Sequence, residues 1–119
     1  MLVTYMNSKF VQFERDIMKK ILSENPNVSD RIEKQYESSK VISREFTGVG
    51  FFTKFEIFDT SLRLPHSPNL VLGDAHANIQ GLEYGAGFIL FVTNGLISTL
   101  EGYSYGEIWP ENIEQYTIE

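Results

Sequence analysis

The chain has 119 residues, no cysteine and a formal net charge of −6. Its length suits a single domain that buries roughly two-thirds of its unfolded surface, and the lack of cysteine excludes disulfides, thiolate metal sites and cysteine nucleophiles while fitting a reducing compartment. Residues 1–63 hold all ten Lys and Arg against nine acids, whereas residues 64–119 hold seven acids and no Lys or Arg, a balance that argues against nucleic acid as a partner and for a basic protein.

The opening MLVTYMNSKF has no basic region followed by an apolar one, and the longest apolar run, Phe88 to Val92, is far too short to cross a bilayer. A cytoplasmic chain without membrane contact is expected. Asn7 and Ser8 offer caps for a helix from Ser8 to Ser23, where Phe10, Phe13, Ile17 and Ile21 recur at helical spacing and Val11, Met18 and Leu22 widen the stripe. Glu14, Arg15, Lys19 and Lys20 form its polar side, and Asn25-Pro26-Asn27 stops it. At about 24 Å, such a helix is as long as a seven-residue strand and can cover one face of a sheet. Val28, Ile32 and Tyr36 predict a second helix to Ser38, capped by Ser29 or Asp30; its narrow stripe suits packing at an edge.

In KVISREFTGVGFFTKFEIFD, alternation places Phe51, Thr53, Phe55 and Ile57 on one strand face, and Gly48-Val49-Gly50 either turns Val41 to Thr47 back as its partner, the preferred arrangement, or bends one long strand by a bulge. Asp59 to Asn69 is a proline-containing loop. The strand from Leu70 sets Val71, Gly73, Ala75, Ala77 and Ile79 on one face and Leu72, Asp74, His76, Asn78 and Gln80 on the other. Phe88 to Thr93 and Leu96 to Leu100 flank Asn94-Gly95, the pair suited to a type I′ turn, which predicts a central hairpin. Its register would pair Val92 with Ile97, Leu90 with Thr99 and Ile89 with Leu100, leaving both faces apolar and both covered. Pro110 starts a short helical turn before a loose tail. The sum is an α+β fold over residues 1–119: two N-terminal helices packed on a mainly antiparallel sheet of about five strands.

Two groups of residues could carry function. Asp74, His76 and Asn78 share a strand face and, with His66 or Glu83, could form a small-molecule site or a hydrolase of the His/Asp type, although one polar face is the ordinary state of a half-buried strand. Glu101, Tyr103, Tyr105, Glu107 and Trp109 instead combine aromatic rings with carboxylates at the end of the sheet, the material of a protein-binding patch, although large aromatics are mostly buried and Tyr103 or Tyr105 could cap the core with Trp109-Pro110 closing it. TGVGFFT lacks the lysine and helix of a phosphate loop and reads as a turn. The Asp74 and His76 face could supply at most half a metal site, no paired-cysteine zinc site or zincin helix is present, and no metal or cofactor is expected.

TGVGFFT, LGD, GAGF and LEGYSYGEIWP, spread over residues 41–111, resemble a group of short bacterial proteins of unassigned function in which these motifs recur in this order. The resemblance implies no chemistry. By analogy of size and type it is compatible with an antitoxin or immunity protein, and His76 lies outside the recurrent positions. The expected function is therefore non-enzymatic binding of a protein through the acidic, aromatic C-terminal surface.

Overall fold

The computed structural model describes residues 8–119, and the expected caps lie outside it: nothing is described of Asn7, nor of the side chain of Ser8. The chain runs α1 (Ser8–Ser23), α2 (Ser29–Ser38), β1 (Lys40–Phe46), β2 (Gly50–Glu56), a 3-10 turn (Thr60–Leu62), β3 (Leu70–Ile79), β4 (Ala86–Thr93), β5 (Leu96–Ser104) and β6 (Tyr116–Ile118). Helical spacing gives α1 one apolar stripe, on which Phe13, Ile17, Met18 and Ile21 are fully buried. The Phe10 ring meets Phe51 edge-on at 5.2 Å and Phe13 meets Phe88 at 5.5 Å, which keys the helix to β2 and β4. Burying one such ring stabilises the fold by roughly 2–3 kcal/mol. The helix ends where Asn25 Nδ2 donates to the Ile21 carbonyl at 2.7 Å and Pro26 follows.

α2 departs from expectation at its start and in its packing. Its N-cap is Val28 with no side-chain cap, because the Ser29 hydroxyl donates back to the Pro26 carbonyl at 3.2 Å. It also reaches the core: Ile32 and Gln35 are fully buried, and α2 packs on β5. Gln35 Nε2 donates to the carbonyls of Leu62 (2.8 Å) and Gly95 (3.0 Å), while its Oε1 accepts from the Ile97 N–H (2.8 Å). A fully satisfied amide can occupy an apolar interface at little cost.

Among the described residues the sheet has six strands in the order β1-β2-β5-β4-β3-β6, every pair antiparallel. The sixth is the tail, where Tyr116, Thr117 and Ile118 pair with Ile79, Asn78 and Ala77, and Pro110 lies in irregular backbone instead of starting a helical turn. β1 and β2 form a hairpin closed by the Thr47 N–H donating to the Gly50 carbonyl at 3.0 Å. β4 and β5 occupy the middle of the sheet and are joined by Asn94 at φ 52° and Gly95 at φ 79°. The loop before β3 wraps this tip: the Leu64 N–H donates to the Gly95 carbonyl, the Gly95 N–H to the Pro68 carbonyl and the Asn94 N–H to Asn69 Oδ1. A Cβ on Gly95 would stand 2.8 Å from Arg63 Cγ and 3.0 Å from the Leu64 nitrogen, so both space and φ demand glycine.

Two bulges re-sort the faces of the central strands. In β5, Val92 pairs with Ile97 but Phe91 with Thr99, so Leu100 comes opposite Leu90 and Glu101 opposite Ile89, one residue away from the expected register. In β3, Leu72 pairs with Leu90 but Ala75 with Phe88. An extra residue inverts the alternation beyond it. Leu72 therefore joins Ala75, Ala77 and Ile79 on the buried face, and Val71, 66% exposed, joins the side of His76 and Asn78. Among the described residues the hairpin is consequently covered by helices on one face only. α1 and α2 lie over Phe88, Leu90, Ile97 and Leu100, whereas Ile89 and Phe91 are only half-buried on the other side.

Glu14, expected on the polar side of α1, is 2% exposed. Arg44 of β1 grips both its oxygens at 2.6 and 3.1 Å, and the Thr53 hydroxyl of β2 donates to one of them. Both partners rise from the sheet beneath the helix, which satisfies a carboxylate whose burial alone would cost several kcal/mol, about the penalty for any unpaired interior ion.

Candidate functional site

Antiparallel pairing brings together residues that are distant in the chain. In one row across the uncovered face, His76 of β3 stands opposite Gly87 of β4, Gly87 opposite Tyr103 of β5, and Tyr103 opposite Gly50 of β2. A Cβ on Gly87 would lie 2.5 Å from Cζ and Oη of Tyr103, so the Tyr103 ring occupies the space that a side chain would fill. Tyr105, just beyond β5, faces the His76 ring at 6.2 Å and 27° and meets Tyr103 edge-on at 5.8 Å and 82°. His76 of the first candidate site thus joins Tyr103 and Tyr105 of the second in one cluster. Glu101 belongs to it, two residues before Tyr103 on the same face of β5 and paired with Phe52 and Ile89.

The tail completes the cluster. Glu119 Oε1 lies 3.1 Å from His76 Nδ1, its Oε2 accepts from Asn78 Nδ2 at 3.0 Å, and the Tyr84 carbonyl lies 3.4 Å from His76 Nε2. Glu119 escaped the sequence reading because the tail carried no alternation long enough to mark a strand. Of Asp74 only the backbone, at the β3 bulge, is described. His66 lies in the loop around the Asn94-Gly95 tip, at the opposite end of β4 from His76, and Glu83 contributes its backbone amide.

Two of the expected surface residues hold the site from behind. The Glu107 carboxylate accepts from the N–H groups of Glu83 (2.8 Å) and Tyr84 (3.0 Å), which ties the β3–β4 connection to the chain after β5. Trp109 is 7% exposed and packs edge-on against Phe51 at 5.5 Å and Phe88 at 6.5 Å, on the helix side of the sheet. Its ring belongs to the core because the backbone after β5 turns under the sheet end, where the Trp109 N–H donates to the Gly48 carbonyl at 2.8 Å.

Burial, then Tyr105 and Glu101, raise the Tyr103 phenol above its ordinary value, so it stays protonated at neutral pH. Neither phenol of the Tyr103-Tyr105 pair and neither oxygen of Glu101 has a hydrogen-bond or ion-pair partner among the described residues. Among the described residues no group of three His, Asp or Glu is placed to hold a metal. A cleft of about 340 Å³ lies elsewhere, between the α1–α2 turn and the loop before β3, and is lined by Pro26, Val28, Arg31, Leu64, Pro65 and Pro68. None of these belongs to the cluster. No helix of the described residues is long and apolar enough to cross a membrane.

What the cluster offers chemically is exposed ring surface beside the Glu101 carboxylate, which no described residue pairs. Comparison of this chain with protein-family models, with curated proteins and with solved structures finds no match.

Proposed function

We propose that this chain is a non-enzymatic module that binds a basic protein through the end of the open sheet face bearing Glu101, Tyr103 and Tyr105, bordered by His76, Asn78 and Glu119. The observation that carries this reading is the meeting of His76 with Tyr103 and Tyr105, beside Glu101, on a face that no helix of the described residues covers. Tyrosine supplies large contact area with few rotatable bonds, and carboxylates around it steer a positive partner. Glu107 and Trp109 serve this surface by holding its loop and its floor. The resemblance to short bacterial proteins, and the analogy with antitoxins and immunity proteins, make a toxin of the same cytoplasm the partner of choice.

The product of the gene adjacent to this one is the protein to test, titrated against the purified chain as salt is varied. The association rate is expected to fall steeply as the Debye length shortens to about 8 Å at physiological ionic strength. Glu101→Lys should slow association, and Tyr105→Ala should speed dissociation by about tenfold or more. An acidic partner, or binding indifferent to salt and to both variants, overturns the reading.

A second reading, a small-molecule binder or hydrolase using Asp74 and His76, is favoured by one observation: the Glu119 carboxylate beside His76 Nδ1, a contact that orients an imidazole base. It requires a ligand whose binding is lost in His76→Gln while protein binding persists.

A further inference from the structure

We propose that Tyr103, Tyr105 and Glu101 form a receptor for the guanidinium group of an arginine side chain. The proposal rests on the protein-binding reading and names the group that a partner would insert there.

The two tyrosine rings meet at 82° with centroids 5.8 Å apart, so they form two walls of a corner, and Tyr105 is 52% exposed at its mouth. Neither wall depends on a ligand for its position. Tyr103 sits in the space left by Gly87, and Tyr105 is backed by His76, which the Glu119 carboxylate and the Tyr84 carbonyl flank in turn. The ring faces that line such a corner carry negative π density, which attracts a cation. Glu101 adds a carboxylate two residues along the strand, about 7 Å away along the backbone.

The charge at this corner is unbalanced. Beyond Arg63 the chain has no Lys or Arg, and among the described residues Lys54 of β2 stands diagonal to Glu101 in the register. Lys54 makes no ion pair with Glu101. A cation from outside is therefore the missing complement, and the chemistry of the corner selects which kind. A guanidinium is flat, weakly hydrated and carries donors along its edge, so it can stack on Tyr105 while donating to Glu101 and to the phenol oxygen of Tyr103. An ammonium would have to shed strongly held water to stack and would address one acceptor at a time.

N-acetyl-arginine amide, titrated into the full chain at low salt, tests this directly through the ring resonances of selectively labelled tyrosine. Saturable shifts confined to Tyr103 and Tyr105, with Tyr36 and Tyr116 unmoved, are expected. N-acetyl-lysine amide should bind at least about fivefold more weakly. Glu101→Gln should weaken the arginine probe by about tenfold, and Tyr103→Phe, which keeps the ring and loses the oxygen, by less. Shifts that never saturate, that are equal for both probes, or that survive Glu101→Gln overturn the receptor. If the probe fails while a basic partner still binds with sensitivity to salt and to Tyr105→Ala, the docking face stands and only the arginine receptor falls. If the probe binds and the adjacent gene product does not, the receptor stands and the proposed partner falls.

Discussion

The two faces of this sheet are made by the same strands, yet they are built on opposite terms. On the helix side, Phe51, Phe88, Leu90, Ile97 and Leu100 are sealed under α1 and α2, and even the charged Glu14 finds Arg44 and Thr53 within reach. On the open side, Phe52, Ile89, Phe91 and Tyr103 are only half-buried, and Glu101 has no described partner. Burial and exposure are thus divided across the thickness of one β-layer. A residue's role depends on which way the pleat turns it, not on its hydrophobicity.

Paired substitutions on the two faces of β4 can break that contrast. Phe88→Ala should destabilise the chain by about 3–5 kcal/mol, since it empties a fully packed site. Phe91→Ala, three residues on and facing the other way, should cost less than about 1 kcal/mol. Denaturant midpoints of the two variants decide the matter; equal losses would mean that the open face is covered in solution. At the hairpin tip, Gly95→Val should cost more than about 2 kcal/mol, combining positive φ with overlap against Arg63 and Leu64. A melting temperature unchanged in that variant would show that the loop does not grip the tip as described.

A milder effect separates the faces by pH. Tyr116, on the helix side of the edge strand, donates to Asp16 Oδ2 at 2.6 Å, and burial followed by that hydrogen bond pushes its phenol up to about 12 from 10.0. The folded chain therefore holds this proton more tightly than the unfolded one. Its contribution is complete below pH 10.0 and is lost as pH rises toward about 12. Alkaline unfolding curves should be shallower for Tyr116→Phe over that window, and identical slopes would mean that the Asp16 bond is not formed.

Much of the architecture was written locally. The spacing of Phe10, Phe13, Ile17 and Ile21 marks α1 because a helix gathers every third and fourth residue onto one side, and Pro26 after Asn25 ends it. The alternation of Phe51, Thr53 and Phe55 likewise marks the buried face of β2, and the α+β class follows from combining such segments. The candidate residues were legible as types: tyrosines beside carboxylates, and a histidine among polar strand positions. Their assembly into one cluster was not.

The sequence by itself determined periodicity, turn chemistry and charge imbalance, all properties of short stretches. Only the tertiary structure decided the two bulges, because the residue that becomes supernumerary depends on partners far along the chain: Gln35 of α2 takes the Ile97 N–H beside the β5 bulge. One such residue moved Leu100 onto the buried face opposite Leu90, and another separated Val71 from Ala75. The same long-range pairing buried Trp109, drew Glu107 to the loop at Glu83, and set Glu119 beside His76 across the β3–β6 edge. Strand register is a cooperative choice among distant segments, so no local reading of residues can supply it.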